Sequence, residues 1–249
     1  MSKRGSFSAT LAWIGLALMM LGLLAVVGAG PAYRTGVLPL GVAFDGLRYG
    51  THAALTATAL GLAGLIGVLR HGRVAATAAA VVAVAGGLAT SALPILHWQQ
   101  AQDAPPIHDI TTDTNDPPPF EALASAREQA PNAVDYPGEE TARQQREAYP
   151  EIEPLIRSEE PAVVMEAVET VALARGWHVA YVGDTRLEAT ATTTWFGFED
   201  DVVVRLREEN GGTRVDVRSA SRLGVGDAGA NAARISAYLD SLERELEGP

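Results

Sequence analysis

Three long apolar stretches dominate the first 96 residues, at residues 8–29, 53–69 and 74–96. None of them contains a charged side chain, and a helix needs about 20 residues to cross the hydrocarbon core of a bilayer. In lipid each stretch must be helical, because its backbone groups find no water to bond. The pattern predicts a three-helix transmembrane anchor over residues 1–96, without the intramembrane charges that mark a transport path.

A proline-rich stretch follows over residues 97–157, and its hydrophobic periodicity is weak. Such a composition is typical of an extended linker or of a strap lying over a globular body. Two short helical pieces are predicted within it, near residues 120–127 and 140–149. We therefore expect a Pro-rich strap between the anchor and the remainder of the chain.

Regular periodicity returns in residues 158–249, which we predict to form an α+β soluble domain. A helix is expected to start at residues 158–161, with the Ser158 hydroxyl as its cap, and to end at Gly176. A second, amphipathic helix is expected after Asp227. Between them, alternating apolar positions mark four strands, near residues 177–182, 187–195, 202–206 and 215–217. The predicted fold class is a four-stranded antiparallel sheet with flanking helices on one face.

Asn210 and Gly211 predict a tight hairpin between the last two strands. If Glu209 pairs with Gly212, opposite charges face each other once and like charges once. The resulting pairs are Arg205 with Asp216, Arg207 with Arg214, and Asp200 with Ser221.

Charge divides the chain at about residue 96. The first part has six basic residues and one acidic residue, whereas the second has 13 arginines against 29 acidic residues, a formal charge of −16. A surface this acidic repels nucleic acid and anionic lipid headgroups, so neither is expected as a broad-face partner. The chain has no cysteine, which excludes disulfides and thiolate chemistry.

The orientation in the membrane follows from the short-loop charges. Lys3 and Arg4 precede the first span, and Arg70, His71 and Arg73 lie between the second and third. These two ends are expected in the cytoplasm and the soluble domain on the other side. Arginines at positions 34 and 48 weaken this bias without reversing it. A cleaved signal peptide ending near residues 28–30 is an alternative that leaves the soluble domain outside as well.

Polar residues are expected to converge at one corner of the sheet. The core-facing row of the fourth strand turns polar at Ser219 and Ser221, close to Asp200, and the opposite face carries Asp201. The glycine-rich segment after this strand then leads into the last helix. The candidate ligand-binding residues are Asp200, Asp201, Arg218, Ser219, Ser221, Arg222, Asp227, Asn231 and Arg234, with His108 and Asp113 as possible additions from the strap.

Three interpretations of this corner remain open: a structural ion network, a site for a small or lipidic polar ligand, and a catalytic centre. Ser219 or Ser221 could act as a nucleophile, but no histidine nearby in sequence offers a base, and neither lies in a nucleophile elbow. We therefore predict no catalytic residue and no cofactor.

A second cluster comprises His108, Asp109, Asp113 and Asp116. It is rich in oxygen ligands but does not follow the spacing of an EF-hand. Hydrogen bonds within its own turns are the alternative, and we predict no metal ion.

Residues 200–206 (DDVVVRL) and 216–235 (DVRSASRLGVGDAGANAARI) resemble the domain-of-unknown-function family 1499. Residues 106–113 (PIHDITTD) are similar to a motif near the start of that family, and the resemblance covers about residues 97–246. It implies a bacterial envelope protein without an established activity.

The resemblance and the charge pattern together predict a bacterial inner-membrane protein that displays a periplasmic binding or interaction module. One alternative is an envelope enzyme that acts on a lipid or polymer at Asp200, Ser219 and Arg222. A second is a structural subunit of a membrane complex. The expected partners are the membrane, a small or lipidic ligand and an envelope protein, without nucleic acid.

Overall fold

The computed structural model describes residues 3–71 and 73–248. The chain forms two compact units. The first runs to Gln99 and includes Trp195–Gly197, and the second comprises Gln100–Thr194 and continues from Phe198.

Three long helices build the first unit: α1 (Lys3–Arg34), α2 (Leu40–Leu69) and α3 (Val74–Asp103), of which the last four residues belong to the second unit. All three are long and apolar enough to cross a membrane, with mean hydropathies of 2.4, 1.7 and 2.0. Each helix extends beyond its apolar core, so α2 carries Asp45 and Arg48 in its first turns. The three predicted membrane helices are therefore present, and the protein is a membrane protein.

Small residues allow these helices to approach closely. A Cβ on Gly22 would lie 2.7 Å from the Gly50 carbonyl oxygen, and one on Gly87 would lie 2.5 Å from the Ala54 carbonyl oxygen. Contacts this short leave no room for a side chain. Glycine therefore sets the distance between the helix axes here, as in other close membrane packings.

The second unit is a mixed α and β structure. Its elements in chain order are β1 (Asp109–Thr111), α4 (Ala124–Glu128), α5 (Glu139–Ala148), β2 (Leu155–Arg157), α6 (Pro161–Ala174), β3 (His178–Val182), β4 (Arg186–Thr192), β5 (Glu199–Glu209), β6 (Gly212–Ser221) and α7 (Ala230–Glu247). The strand order is β1-β6-β5-β4-β3, β2 also pairs with β6, and every pairing is antiparallel.

The predicted α+β class is confirmed, but the sheet has six strands rather than four. The two additional strands, β1 and β2, come from the Pro-rich segment and are three residues long. Three residues are too few to show an alternating pattern, so sequence periodicity could not reveal them.

The predicted hairpin register is confirmed. Arg205 lies opposite Asp216, Arg207 opposite Arg214, and Asp200 opposite Ser221. Both turn residues have positive φ, 52° at Asn210 and 80° at Gly211, which is the conformation of a type I′ turn.

The sheet has a core on each face. Helices α6 and α7 cover one face with a large apolar cluster that includes Val168, Val204 and Ile235. The Pro-rich segment covers the other face with a smaller cluster built from Phe120, Leu123, Val203 and Ala220. We call these two sides the helix face and the strap face.

Candidate functional site

The sheet separates the predicted corner residues into two groups. Adjacent strand residues point to opposite faces, so Asp200 and Asp201 take part in different networks. Asp200, Ser219, Ser221, Asn231 and Arg234 meet on the helix face, whereas Asp201, Arg218 and Arg222 lie on the strap face.

On the helix face, Asn231 is the centre of a buried hydrogen-bond network. Its side-chain oxygen accepts from Ser219 Oγ at 2.6 Å, and its amide nitrogen donates to Ser221 Oγ at 2.9 Å. The same nitrogen donates to the His108 carbonyl at 3.0 Å. Arg234 donates to Ser219 Oγ at 3.0 Å and pairs with Asp200. The network joins β6, β5 and the first turns of α7.

Asp227 holds the glycine-rich turn that leads into α7. Its carboxylate accepts backbone N–H groups from Gly229 at 2.9 Å and Asn231 at 2.7 Å. Burial raises the pKa of Asp227 above its usual range, although the backbone hydrogen bonds from Asn231 and Gly229 oppose that rise. This carboxylate positions Asn231 at the start of the helix.

On the strap face, two fully buried ion pairs fix the strap to the sheet. Arg218 donates to both Asp109 carboxylate oxygens, at 2.9 and 2.8 Å. Arg127 donates to Asp201 at 3.1 Å, and both of these side chains are completely inaccessible. Burial lowers the pKa of Arg127, and the charge of Asp201 opposes that shift.

Phe120 and Arg222 complete the strap-face network. The guanidinium carbons of Arg127 and Arg218 lie 4.7 and 4.6 Å from the centroid of the Phe120 ring, within cation–π range. Arg222 donates to the two Asp201 oxygens at 2.9 and 2.8 Å and also pairs with Glu199. The Asp201 carboxylate therefore accepts hydrogen bonds from two arginines, Arg127 and Arg222.

The two candidates from the strap occupy different places. His108 lies beside the corner, with its carbonyl bound by Asn231 and its Nδ1 3.4 Å from the Val225 carbonyl oxygen. Asp113 lies instead with the hairpin arginines, 2.9 Å from Arg207 and 3.0 Å from Arg214. It is not part of the corner.

The pKa of Asp113 is lowered. Burial alone would raise it, but backbone hydrogen bonds from Asp116 and Asn115, a hydrogen bond from Arg207 and the charge of Arg214 outweigh burial. The carboxylate is thus stabilised in its ionised form.

The corner offers no activated nucleophile of the serine type. The Ser219 hydroxyl is completely buried, and its proton points to the amide oxygen of Asn231, which is not a base. Across residues 3–71 and 73–248, no group of three or more His, Asp or Glu side chains is placed to hold a metal ion. What the arrangement does chemically is to cross-link β5, β6, α7 and the strap.

One surface depression borders the helix-face network. It has a volume of about 540 Å³ and opens to solvent. Its lining consists of Arg175, Gly176, Trp177, Ala191, Thr192, Thr193, Ala233 and Arg234. Only Arg234 of these was a predicted candidate. The sequence signal that could have drawn attention to the others is Arg175-Gly176-Trp177, a cation and a large aromatic at a helix-to-strand turn.

Comparison with known families accounts for most of the second unit. Residues 109–242 match the family described as "Protein of unknown function (DUF1499)", which is more than half of the chain. The chain belongs to this family. The match confirms the predicted resemblance, and the DUF1499 region runs from β1 into α7 and so contains both networks. No curated protein matches the chain.

Proposed function

We propose that this DUF1499 protein is a bacterial inner-membrane protein that displays its second unit in the periplasm as a binding or interaction module. In this proposal residues 1–96 are the anchor, residues 97–157 the strap and residues 158–249 the α+β domain.

The charge pattern supports the orientation. Arg70, His71 and Arg73 lie at the connection between α2 and α3, and Lys3 and Arg4 lie at the start of α1. Positive charges in short connections remain in the cytoplasm. An odd number of spans then places everything after α3 on the opposite side.

The observation that carries the binding role is the depression at Arg234. The corner behind it satisfies its own polar groups: Ser219 and Asn231 are buried and bonded to each other, and the buried Asp200 pairs with Arg234. Arg234 extends this network to the surface, where its side chain is 12% exposed and lines the depression. Its guanidinium is held in place before any ligand arrives, and a ligand-binding site depends on such pre-organised polar groups.

The geometry gives less support to the enzyme alternative. Asp200 and Ser219 bond to α7 residues on the helix face, whereas Arg222 bonds to Asp201 on the strap face. The three residues of that alternative therefore do not converge on one reacting atom.

The lack of cysteine allows a direct test of the orientation. Single variants Glu245→Cys, on exposed α7, and His71→Cys, in the exposed α2–α3 turn, are treated with a membrane-impermeant maleimide in spheroplasts. We expect Glu245→Cys to be labelled in intact spheroplasts and His71→Cys only after lysis. Labelling of His71→Cys alone would overturn the orientation.

The binding role is tested on the full-length protein, purified in mild detergent and analysed by native mass spectrometry. A stoichiometric small molecule or protein that co-purifies supports a binding or interaction module. If the chain is instead recovered only within a larger complex of fixed composition, with no small ligand, the structural-subunit alternative is favoured.

A further inference from the structure

We infer that the depression lined by Arg175 and Arg234 is a binding site for a small phosphodiester monoanion. This inference rests on the proposed binding role and names the ligand class. Its basis is the chemistry of the lining residues and the charge that they leave uncompensated.

The lining is cationic in an otherwise acidic part of the chain. Two of its eight residues are arginines, two are threonines, and none is acidic. The segment from residue 97 onward has 29 acidic residues against 13 arginines. A patch with the opposite charge to its surroundings selects an anion.

The charge of the ligand follows from the partners of the two arginines. Arg234 pairs with Asp200, so that charge is already compensated. Arg175 is bonded only to neutral groups, the Ala237 carbonyl at 3.2 Å and Ser241 Oγ at 3.3 Å. Within the described part of the chain, no carboxylate lies within ion-pair distance of Arg175. One positive charge therefore remains for the ligand, which matches a monoanion.

The shape and polarity of the lining favour a phosphodiester. Arginine presents a planar set of donors that suits phosphate oxygens, and Thr192 and Thr193 are polar members of the same lining. The apolar members of the lining are Trp177, Ala191 and Ala233, and of these Ala233 is exposed and available to the ester substituents. The volume of about 540 Å³ lies within the ordinary range of small-ligand sites.

The same chemistry could come from a free phosphodiester or from a lipid headgroup. The unit as a whole carries about −16 charges and repels an extended anionic surface. At 0.15 M salt, however, the field of distant charges is screened over about 8 Å. A small anion within the depression experiences mainly the local arginines. The free molecule is therefore the favoured source.

The test is a calorimetric titration of the full-length protein in phosphatidylcholine nanodiscs with glycerophosphoglycerol, at constant ionic strength. Glycerophosphocholine, a zwitterion, and lactate, a carboxylate, serve as comparison ligands. We expect saturable binding of glycerophosphoglycerol that is tighter than binding of either comparison ligand. The inference would be overturned if glycerophosphoglycerol shows no saturable binding up to about 10 mM, which corresponds to a Kd weaker than the millimolar range. Tighter binding of lactate than of glycerophosphoglycerol would also overturn it.

Two variants locate the site. Arg175→Gln should weaken binding at least tenfold, and Ala233→Glu, which adds a negative charge at an exposed position of the lining, should abolish it. Arg244→Gln is the matched control, because Arg244 is an exposed arginine of α7 that also bonds Ser241 and lies outside the depression. Equal effects of Arg175→Gln and Arg244→Gln would overturn the assignment to this site.

A second lipid composition distinguishes the sources. If nanodiscs containing phosphatidylglycerol weaken the binding of glycerophosphoglycerol to the wild type, but leave the affinity of Arg175→Gln unchanged, the lipid headgroup occupies the site. If they have no effect, the free phosphodiester is the ligand. If a neutral or cationic molecule co-purifies instead, the anion site is wrong and the binding module stands.

Discussion

At the scale of single residues, arginine makes the long-range connections of the second unit. All 13 basic residues after residue 96 are arginine. Arg218 shows the advantage, because its fork reaches both oxygens of Asp109 and the carbonyls of Pro118 and Val134. A lysine ammonium is a point charge with three donors and cannot bridge this planar set.

Removal of one partner from this buried pair should be costly. In Arg218→Met the Asp109 carboxylate would remain buried without its charged partner, and we expect a loss of about 3–5 kcal/mol in the free energy of unfolding. Pulse proteolysis of the full-length protein in urea measures this loss. Arg143→Met, which removes an exposed arginine bonded to Glu140 and Glu147 on α5, should have little effect. Equal losses in both variants would contradict a buried, energetically coupled pair.

Two aspartates should contribute to stability with opposite pH dependence. The pKa of Asp113 is lowered from 3.8, so its contribution is present above about pH 4 and is lost as the pH falls through the folded-state value. The pKa of Asp227 is raised from 3.8, so its contribution is complete below about pH 4 and is lost as the pH rises through the folded-state value.

The stability difference between wild type and Asp113→Asn should therefore grow with pH, and the corresponding difference for Asp227→Asn should shrink. Thermal unfolding of both variants and the wild type between about pH 3 and 6 tests this, with each variant serving as the control for the other. Slopes of the same sign would show that one of the two electrostatic environments is wrongly assigned.

Part of the corner could be predicted from the sequence, and part could not. Strand alternation was sufficient to separate Asp200 from Asp201 and to place Ser219 and Ser221 on the core face, because that rule is local. The partners Asp109 and Arg127 were not selected as corner residues, because they lie 109 and 74 positions from the residues that they bind. No periodicity links positions that far apart.

At the scale of elements, the Pro-rich segment is an integral layer of the fold. It contributes β1 and β2 to the sheet and the apolar cluster around Phe120. Its attachment also depends on Glu188 of β4, which is fully buried and accepts backbone N–H groups of Glu121, Ala122 and Leu123 at 2.9–3.1 Å. One carboxylate thus satisfies three donors in the turn before α4.

Glu188→Gln should loosen this turn selectively. The glutamine has one acceptor oxygen and presents an NH₂ group to at least one of the three N–H donors, so a donor is left unsatisfied at about 1–3 kcal/mol. Hydrogen exchange of the full-length protein should accelerate at residues 121–123 while β5 remains protected. Glu166→Gln, at an exposed position of α6, is the control. Uniform acceleration across the sheet would mean that Glu188 supports the whole unit and not this turn.

The start of α6 shows where a sequence rule failed at this scale. Ser158 was predicted to cap the helix, but the helix begins at Pro161 and its N-cap residue is Glu160, without a side-chain capping bond. Proline at the first position was the correct signal. The Ser158 interpretation failed because the segment just before it, β2, ends at Arg157 on the sheet, which fixes the path of the chain independently of a cap.

At the scale of the whole molecule, the two units differ in what stabilises them. The helices pack through glycine and alanine, with glycine positions too close to a neighbour to accept a Cβ. The second unit has many ion pairs, several of them buried. Water can solvate the charges of the second unit while it is unfolded, whereas lipid cannot solvate charged groups in the spans. The change in charge density at residue 96 thus follows from the change in surroundings, from lipid around the spans to water around the second unit.

The same division predicts that the proposed orientation depends on a few cations. Arg70 and Arg73 are the arginines of the α2–α3 connection, and short-loop arginines set the side on which a connection remains. Replacement of both by Gln leaves Lys3 and Arg4 at one end against Arg34 and Arg48 towards the other, and we expect a mixed population of orientations. In the Glu245→Cys background, the fraction labelled in intact spheroplasts should fall below that of the parent.

Replacement of both arginines by lysine should restore full labelling, because the bias depends on positive charge and not on the guanidinium. If the Gln variant labels as completely as the parent, the orientation depends on folding of the second unit after its export and not on the loop charges.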